Sequence, residues 1–164
     1  MTDKEFKNAI LQHQPYMQKM AEMLLGDADD AEDAVQETVI GLWKRRGSLG
    51  QQADLKTLCG TVVKRRCIDM LRKQHPSVPI DENLMLIEPS PDDYSEEQYR
   101  IARKLVDRLP ARQRDVILMK YEEGMDQKAI EKATGMSSTH VYATLSRAYK
   151  ALREAIKQYK EARL

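Results

Sequence analysis

Asp126-Gln-Lys-Ala-Ile-Glu-Lys-Ala-Thr-Gly-Met-Ser-Ser-Thr-His-Val-Tyr-Ala-Thr-Leu-Ser-Arg-Ala-Tyr-Lys150 is the stretch that decides how this chain folds. A short helix starts at Asp126, a residue type whose carboxylate accepts an orphan amide at a helix N-terminus. Ala129, Ile130 and Ala133 give it an apolar stripe, and Gly135 supplies the left-handed conformation that ends it. Ser137 or Ser138 caps a second helix, in which Val141, Leu145, Ala148, Leu152 and Ala155 or Ile156 recur at steps of three and four. Two helices joined by a tight glycine turn describe a helix-turn-helix, whose second helix enters the major groove of DNA. Periodicity alone fits an ordinary helical hairpin equally well. The outward face favours DNA: Thr139, His140, Tyr142, Ala143, Ser146, Arg147 and Lys150 are polar, small or basic.

The neighbouring sequence continues the helical pattern. Ser95-Glu-Glu-Gln98 is a capping box opening a helix through Ile101, Leu105 and Leu109. Pro110 fits the first turn of the next helix, which buries Val116, Ile117 and Tyr121 and stops near Gly124. Before this lies a stretch of another kind. Gln74 to Tyr94 holds Pro76, Pro79, Pro89 and Pro91, and no basic residue after His75. Such composition reads as a linker without stable helix, in which Leu84-Met-Leu-Ile87 is a short apolar patch. A helix from about Asp54 to Lys73 precedes it, burying Leu55, Cys59, Val62 or Val63, Cys67 and Met70 or Leu71. An earlier helix, capped by Asp29 or Asp30, buries Ala31, Ala34, Val35, Thr38, Val39, Leu42 and Trp43. It presents Glu32, Asp33, Gln36, Glu37 and Ile40 outward. At the N-terminus, Thr2-Asp-Lys-Glu5 is a capping box. Phe6, Ile10 and Leu11 follow on one face. Gln14-Pro15 is then expected to interrupt the helix, with a second helix over Tyr16–Leu25 ended by Gly26.

The fold class is therefore all-α: two small helical domains, 1–74 and 95–164, joined by a proline-rich acidic linker over 75–94. The chain is 41% hydrophobic, yet it lacks the alternating Val/Ile/Thr runs of strands. No apolar run approaches the roughly 18 residues of a membrane span, and Met1–Lys7 lacks a signal-peptide apolar core. A cytoplasmic protein is expected. Cys59 and Cys67 lie about 12 Å apart along one helix, too far to bridge, and read as reduced core residues.

Net charge is +1, but it is unevenly spread. Residues 27–37 carry six carboxylates and no Lys or Arg; residues 56–73 carry six basic residues against Asp69 alone. Residues 77–99 carry seven carboxylates and no basic residue; residues 136–164 carry six basic and two acidic residues. Such blocks imply separate surfaces with separate partners.

The chain resembles an ECF (extracytoplasmic-function) sigma factor of the sigma-70 family. Asp27-Ala-Asp-Asp-Ala-Glu-Asp-Ala-Val-Gln-Glu-Thr-Val-Ile-Gly-Leu-Trp43 is similar to the family's polymerase-docking segment. Leu109-Pro-Ala-Arg-Gln-Arg-Asp-Val-Ile-Leu118, running into the helix-turn-helix, is similar to its C-terminal domain. The resemblance implies that Asp30, Asp33, Gln36 and Glu37 dock on core RNA polymerase at the coiled coil of its β′ clamp. It implies that Lys56, Lys64, Arg65, Arg72 and Lys73 serve the −10 promoter element. It implies that Ser138, Thr139, His140, Tyr142, Ala143, Ser146, Arg147 and Lys150 serve the −35 element. The implied partners are core polymerase (β′ clamp and β flap), promoter DNA and an anti-sigma factor. The acidic linker is expected to enter a basic, RNA-binding channel. No cofactor, metal site or catalytic residue is expected, and the protein does not insert in a membrane.

The sequence also departs from the family pattern. Leu58-Cys59 stands where Trp-Leu is usual, and Arg65 where Asn is usual. Glu131 replaces a small Ala before the turn, which implies looser or tilted packing of the two helices. Tyr142 and Thr144 replace the usual Lys and Arg, moving the expected readout toward apolar and hydroxyl contacts. The alternative function is a helix-turn-helix regulator that never binds polymerase. Enzymatic candidates reduce to the Asp27–Asp33 carboxylates and scattered His13, His75 and His140, without nucleophile–base or metal-ligand spacing.

Overall fold

The reciprocal cap at Thr2 starts the first helix. The Glu5 amide donates to Thr2 Oγ1 at 3.1 Å, and the Thr2 amide donates to Glu5 Oε2 at 3.0 Å. The helix that follows, α1 (Asp3–Leu25), does not stop at Gln14. Pro15 lies inside it, contrary to the expected break. The reason is placement. Proline removes the bond to the carbonyl four residues back, here that of Leu11, and both Leu11 and Pro15 face solvent. Phe6, Ile10, Met17, Ala21 and Leu25 meanwhile bury one unbroken stripe. Gly26 closes α1 at φ 68°, a conformation that a Cβ disfavours.

In the computed structural model, residues 2–49, 54–80 and 96–162 are described. They fall into two compact units, Met1–Ile80 and Asp81–Leu164. In the first, α1 packs on α2 (Ala28–Lys44) and α3 (Leu55–Gln74). The cap of α2 is Asp27, not Asp29 or Asp30: its carboxylate accepts from the Asp30 amide at 3.0 Å. Asp27 is itself buried, so the carboxylate that satisfies the helix end is the one the fold already shelters. The α2 core residues are Ala31, Ala34, Val35, Thr38 and Leu42. Trp43, expected among them, is 38% exposed. Its ring meets Phe6 edge-on at 5.4 Å, and the Arg46 guanidinium lies 3.7 Å from its centroid. A partly solvated indole under a cation is a favourable arrangement.

Leu55, Cys59, Val63, Cys67, Ile68 and Leu71 of α3 complete this core. Gly60 faces α1 so closely that a Cβ there would stand 3.0 Å from Tyr16 Oη and 3.2 Å from its ring. Both cysteines are free and buried. Burial pushes the Cys67 thiol up to about 12 and raises that of Cys59. The first unit keeps hold of the chain past Gln74: His75 is 4% exposed, and its amide donates to the Leu71 carbonyl at 2.8 Å. Residues 81–95, which hold the Leu84–Ile87 patch, the acidic residues of the linker and the Ser95 cap, lie outside the described residues.

The second unit contains α4 (Glu96–Asp107), α5 (Ala111–Tyr121), α6 (Gln127–Thr134) and α7 (Ser138–Ala162). Val106, Leu109, Val116, Ile117, Ile130, Met136, Val141, Leu145 and Ala148 form its core. Arg103 of α4 pairs with Asp107 one turn on and donates to Glu122 beyond α5 at 2.7 Å. Tyr121, expected in the core, is 60% exposed; its hydroxyl lies 2.9 Å from that of Tyr149. The Lys120 ammonium lies 5.8 and 5.6 Å from the centroids of these two rings, and burial lowers its pKa. Among the described residues no helix is long and apolar enough to cross a membrane.

Candidate functional site

Three surfaces carry the residues singled out from the sequence, two on the first unit and one on the second. The acidic one is the outer face of α2. Its orientation follows from the core stripe opposite, which fixes Glu32, Asp33, Gln36 and Glu37 on the exposed side with Ile40. Asp33 and Gln36 point fully outward, and Gln36 Nε2 donates to Glu32 Oε1 at 3.3 Å. Asp30 and Glu37 lie on the edge toward α3. Gln74 Nε2 donates to Asp30 Oδ2 at 3.2 Å, and Arg66 forms an ion pair with Glu37. So of the four docking candidates, Asp33 and Gln36 face outward and Asp30 and Glu37 are shared with α3. The Arg66 tie links the acidic helix to the basic one, and Arg66 is not among the residues that sequence reasoning singles out. Its signal is spacing, since an arginine flanked by buried Val63 and Cys67 must lie near the core edge.

The basic residues of α3 do not make one stripe. Arg65 and Arg72, seven residues or about two turns apart, share one exposed line with Asp69 beside them. Lys64 sits half-buried on a flank. Lys56, in the first turn, lies over the Tyr16 ring of α1 at 4.7 Å from its centroid, and Lys73 is exposed in the last turn. Helical angles explain the scatter: at 3.6 residues per turn Lys56 and Arg65 lie on opposite sides of the helix, and adjacent residues such as Lys64 and Arg65 do not share a face.

The helix-turn-helix is built as its sequence requires. Asp126 Oδ1 accepts from the Ala129 amide at 2.8 Å, and Gly135 ends α6 at φ 72°. Ser137, not Ser138, caps α7: its Oγ accepts from the His140 amide at 3.1 Å. The Ser138 carbonyl instead accepts from Gln127 Nε2 of α6 at 3.1 Å, which holds the two helices together at the turn. Ile130, Met136 and Val141 are all buried, so the hairpin interior is closed in spite of the half-buried Glu131. Ala133, expected in the α6 stripe, is exposed.

On α7 the structure separates the candidates. Ser138, His140, Arg147 and Lys150 are exposed, and Thr139, Tyr142 and Ser146 half-buried. Tyr142 and Ser146 are hydrogen-bonded to each other through their side chains, while burial raises the tyrosine pKa. Ala143, expected to face outward, is 8% exposed. Thr144 is 3% exposed, and its hydroxyl donates to the His140 carbonyl at 2.8 Å. Neither is available to a ligand on the outer face, which corrects the expected hydroxyl contact from Thr144. Among the described residues no three His, Cys, Asp or Glu side chains come together to hold a metal ion.

Comparison with known proteins agrees with this division. Residues 9–76 match the model of sigma-70 region 2, and residues 99–152 match that of sigma-70 region 4. The chain belongs to the sigma-70 family. Within it, this sigma factor is an ECF member. It is 23% identical over 146 residues to the ECF RNA polymerase sigma factor SigM of Mycobacterium tuberculosis, covering 87% of this chain and 72% of SigM. It is 27% identical over 142 residues to the probable RNA polymerase sigma factor RfaY of Xanthomonas campestris, covering 80% of this chain. The match spans only 35% of the length of RfaY. Among solved structures, sigma factor RpoE of Bartonella quintana, crystallised with the anti-sigma factor NepR, is 25% identical, covering 94% of this chain and 98% of RpoE, with a TM-score of 0.43. Family membership does not favour a regulator that works without polymerase.

Proposed function

We propose that this sigma factor directs promoter-specific transcription initiation with a division of labour among its three surfaces. Asp30, Asp33, Gln36 and Glu37 on α2 dock on the β′ clamp of core RNA polymerase. Arg65 and Arg72 on α3, with Lys56, Lys64 and Lys73 around them, hold the backbone of the −10 element as it opens. The exposed and half-buried polar residues of α7 read the −35 element as duplex. The observation that carries this reading is the segregation of charge. One unit bears an acidic face and a basic one on adjacent helices, and the other bears a capped helix-turn-helix with a polar and basic outer face.

Each surface suits its task physically. Carboxylates facing a basic partner speed encounter and fix register more than they raise affinity. Opening DNA requires capturing a base out of the stack and neutralising the displaced backbone. On α7, Arg147 and Lys150 suit phosphates, whereas His140 and Tyr142 suit base edges. Domain roles follow the boundaries 1–74 and 95–164, and the acidic linker suits a basic RNA-binding channel. A regulatory anti-sigma factor is expected to cover one or more of these faces.

Run-off transcription with core polymerase over a promoter library tests the whole reading. Transcripts from a defined subset are expected. Absence of both core binding and transcription would overturn it. Within α7, Arg147→Ala and Lys150→Ala should weaken binding similarly across sequences, whereas His140→Ala and Tyr142→Ala should change which sequences bind. Identical behaviour of all four would defeat the division.

A further inference from the structure

The face of α7 that carries Thr139, Tyr142 and Ser146 does not end with them. Continuing in steps of three and four residues, the same line meets Lys150, Arg153, Lys157 and Lys160. At 3.6 residues per turn these seven positions form a single stripe. The helix is continuous over the whole span, from Ser138 to Ala162. The first three positions are uncharged and half-buried; the last four are all cationic and all exposed. Glu154 and Glu161 sit to one side of the stripe. Opposite it, Leu145 and Ala148 are buried, and Leu152, Ala155, Ile156 and Tyr159 are partly so. The stripe therefore keeps one direction while the other side stays against the protein.

We propose that Lys150, Arg153, Lys157 and Lys160 form a rail that grips duplex phosphates beside the base pairs read by the first turns of α7. The inference rests on the −35 reading given above. Its extra content is the second half of the helix, since the region 4 match ends at residue 152. Length supports it. A helix of 25 residues is about 37 Å long, at 1.5 Å per residue. The DNA major groove is about 12 Å wide. A helix whose early turns lie side-on in the groove must cross the flanking backbone farther along. That is where its face changes from neutral to cationic. Phosphate contacts of this kind position the protein and add affinity without reading sequence. The order of residues along α7 thus matches the order of tasks: selective groups first, sequence-blind groups after.

The experiment uses the full chain assembled with core polymerase, on a duplex promoter selected from a randomised library. Salt dependence of binding is compared for the native protein and for Lys157→Gln/Lys160→Gln, which keeps good helix formers. The expected change is a fall in the salt slope of roughly two, about 0.9 for each phosphate no longer neutralised. A second measurement replaces single phosphates around the −35 element by neutral methylphosphonates. Positions that weaken the native protein should become neutral in the double variant. An unchanged slope and an unchanged methylphosphonate profile would overturn the rail. So would a variant that loses core polymerase binding while its DNA slope stays the same, because the stripe would then face an acidic protein surface. Arg147→Ala keeps the two readings apart. If it leaves promoter binding unchanged while the rail variant still lowers the slope, the phosphate contact assigned to Arg147 fails and the rail stands; if promoter binding by the native protein is indifferent to the −35 sequence, the −35 reading fails and the rail falls with it.

Discussion

Thr144 shows how far a single position can mislead. On an isolated helical wheel it lies beside the reading face, and a hydroxyl there invites a DNA contact. In the folded unit it is 3% exposed and donates to the His140 carbonyl. Thr144→Val should therefore leave duplex affinity unchanged and shift stability by less than about 1 kcal/mol, since a neutral hydrogen bond of this type contributes about that much net. A large loss of DNA binding, measured by anisotropy, would contradict the assignment. Ala143 is misplaced on the wheel for a related reason, because a wheel drawn for one helix does not include the neighbours that cover it. The cysteines, by contrast, are legible as core residues from spacing alone. Their burial carries a pH consequence. The unfolded Cys67 thiol ionises at its ordinary value near 9, whereas the folded one is held to about 12. Between these values the unfolded chain binds fewer protons, so stability falls as pH rises and is unaffected below that window. Cys67→Ala should flatten the alkaline fall of the first unit's denaturation midpoint, compared between about pH 7 and about pH 10.5.

Among the elements, α1 is the one whose existence is legible in the sequence and whose continuity is not. Local rules argue for a break at Gln14-Pro15, and they are sound for a helix standing alone. Burial of Met17, Ala21 and Leu25 in line with Phe6 and Ile10 overrides them, while Leu11, whose carbonyl Pro15 leaves without its helical donor, is an exposed residue. Pro15→Ala should accordingly stabilise the first unit, by up to about 3 kcal/mol. Urea titration followed by helical circular dichroism checks the direction; destabilisation would mean that Pro15 performs a packing role not visible in its exposure. Several helix termini are legible, although the α2 cap is Asp27 rather than the expected Asp29 or Asp30. Thr2, Asp126 and Gly135 act as their residue types require, because capping depends on a few neighbouring atoms rather than on the tertiary fold. Trp43 and Tyr121 are harder. Each is a large aromatic on an apolar stripe, yet each leaves its ring partly in water against a cation.

Across the whole molecule, the charge blocks and the two-unit organisation can be read from composition. The ties between α2 and α3 cannot, because the Glu37–Arg66 pair and the Gln74–Asp30 bond join residues far apart in sequence. Long-range charge gives the clearest prediction at this scale. Asp30→Asn/Asp33→Asn should slow association with core polymerase several-fold at low salt, and the difference should vanish near 1 M, where screening acts within about 3 Å. Stopped-flow mixing checks it; an effect confined to dissociation would count against a steering role. The first unit also holds a warning for engineering. Replacing helical glycine by alanine is a standard route to thermostability, worth up to about 1 kcal/mol. At Gly60 the added methyl would press on Tyr16, 3.0 Å away, whose ring lies under the Lys56 ammonium. Overpacking of that kind costs about 1–3 kcal/mol, so Gly60→Ala should lower the thermal midpoint. It should also shift a cation proposed to hold promoter DNA. A mutational survey guided by helix propensity alone would thus find its cost in promoter opening, at a position that touches no DNA.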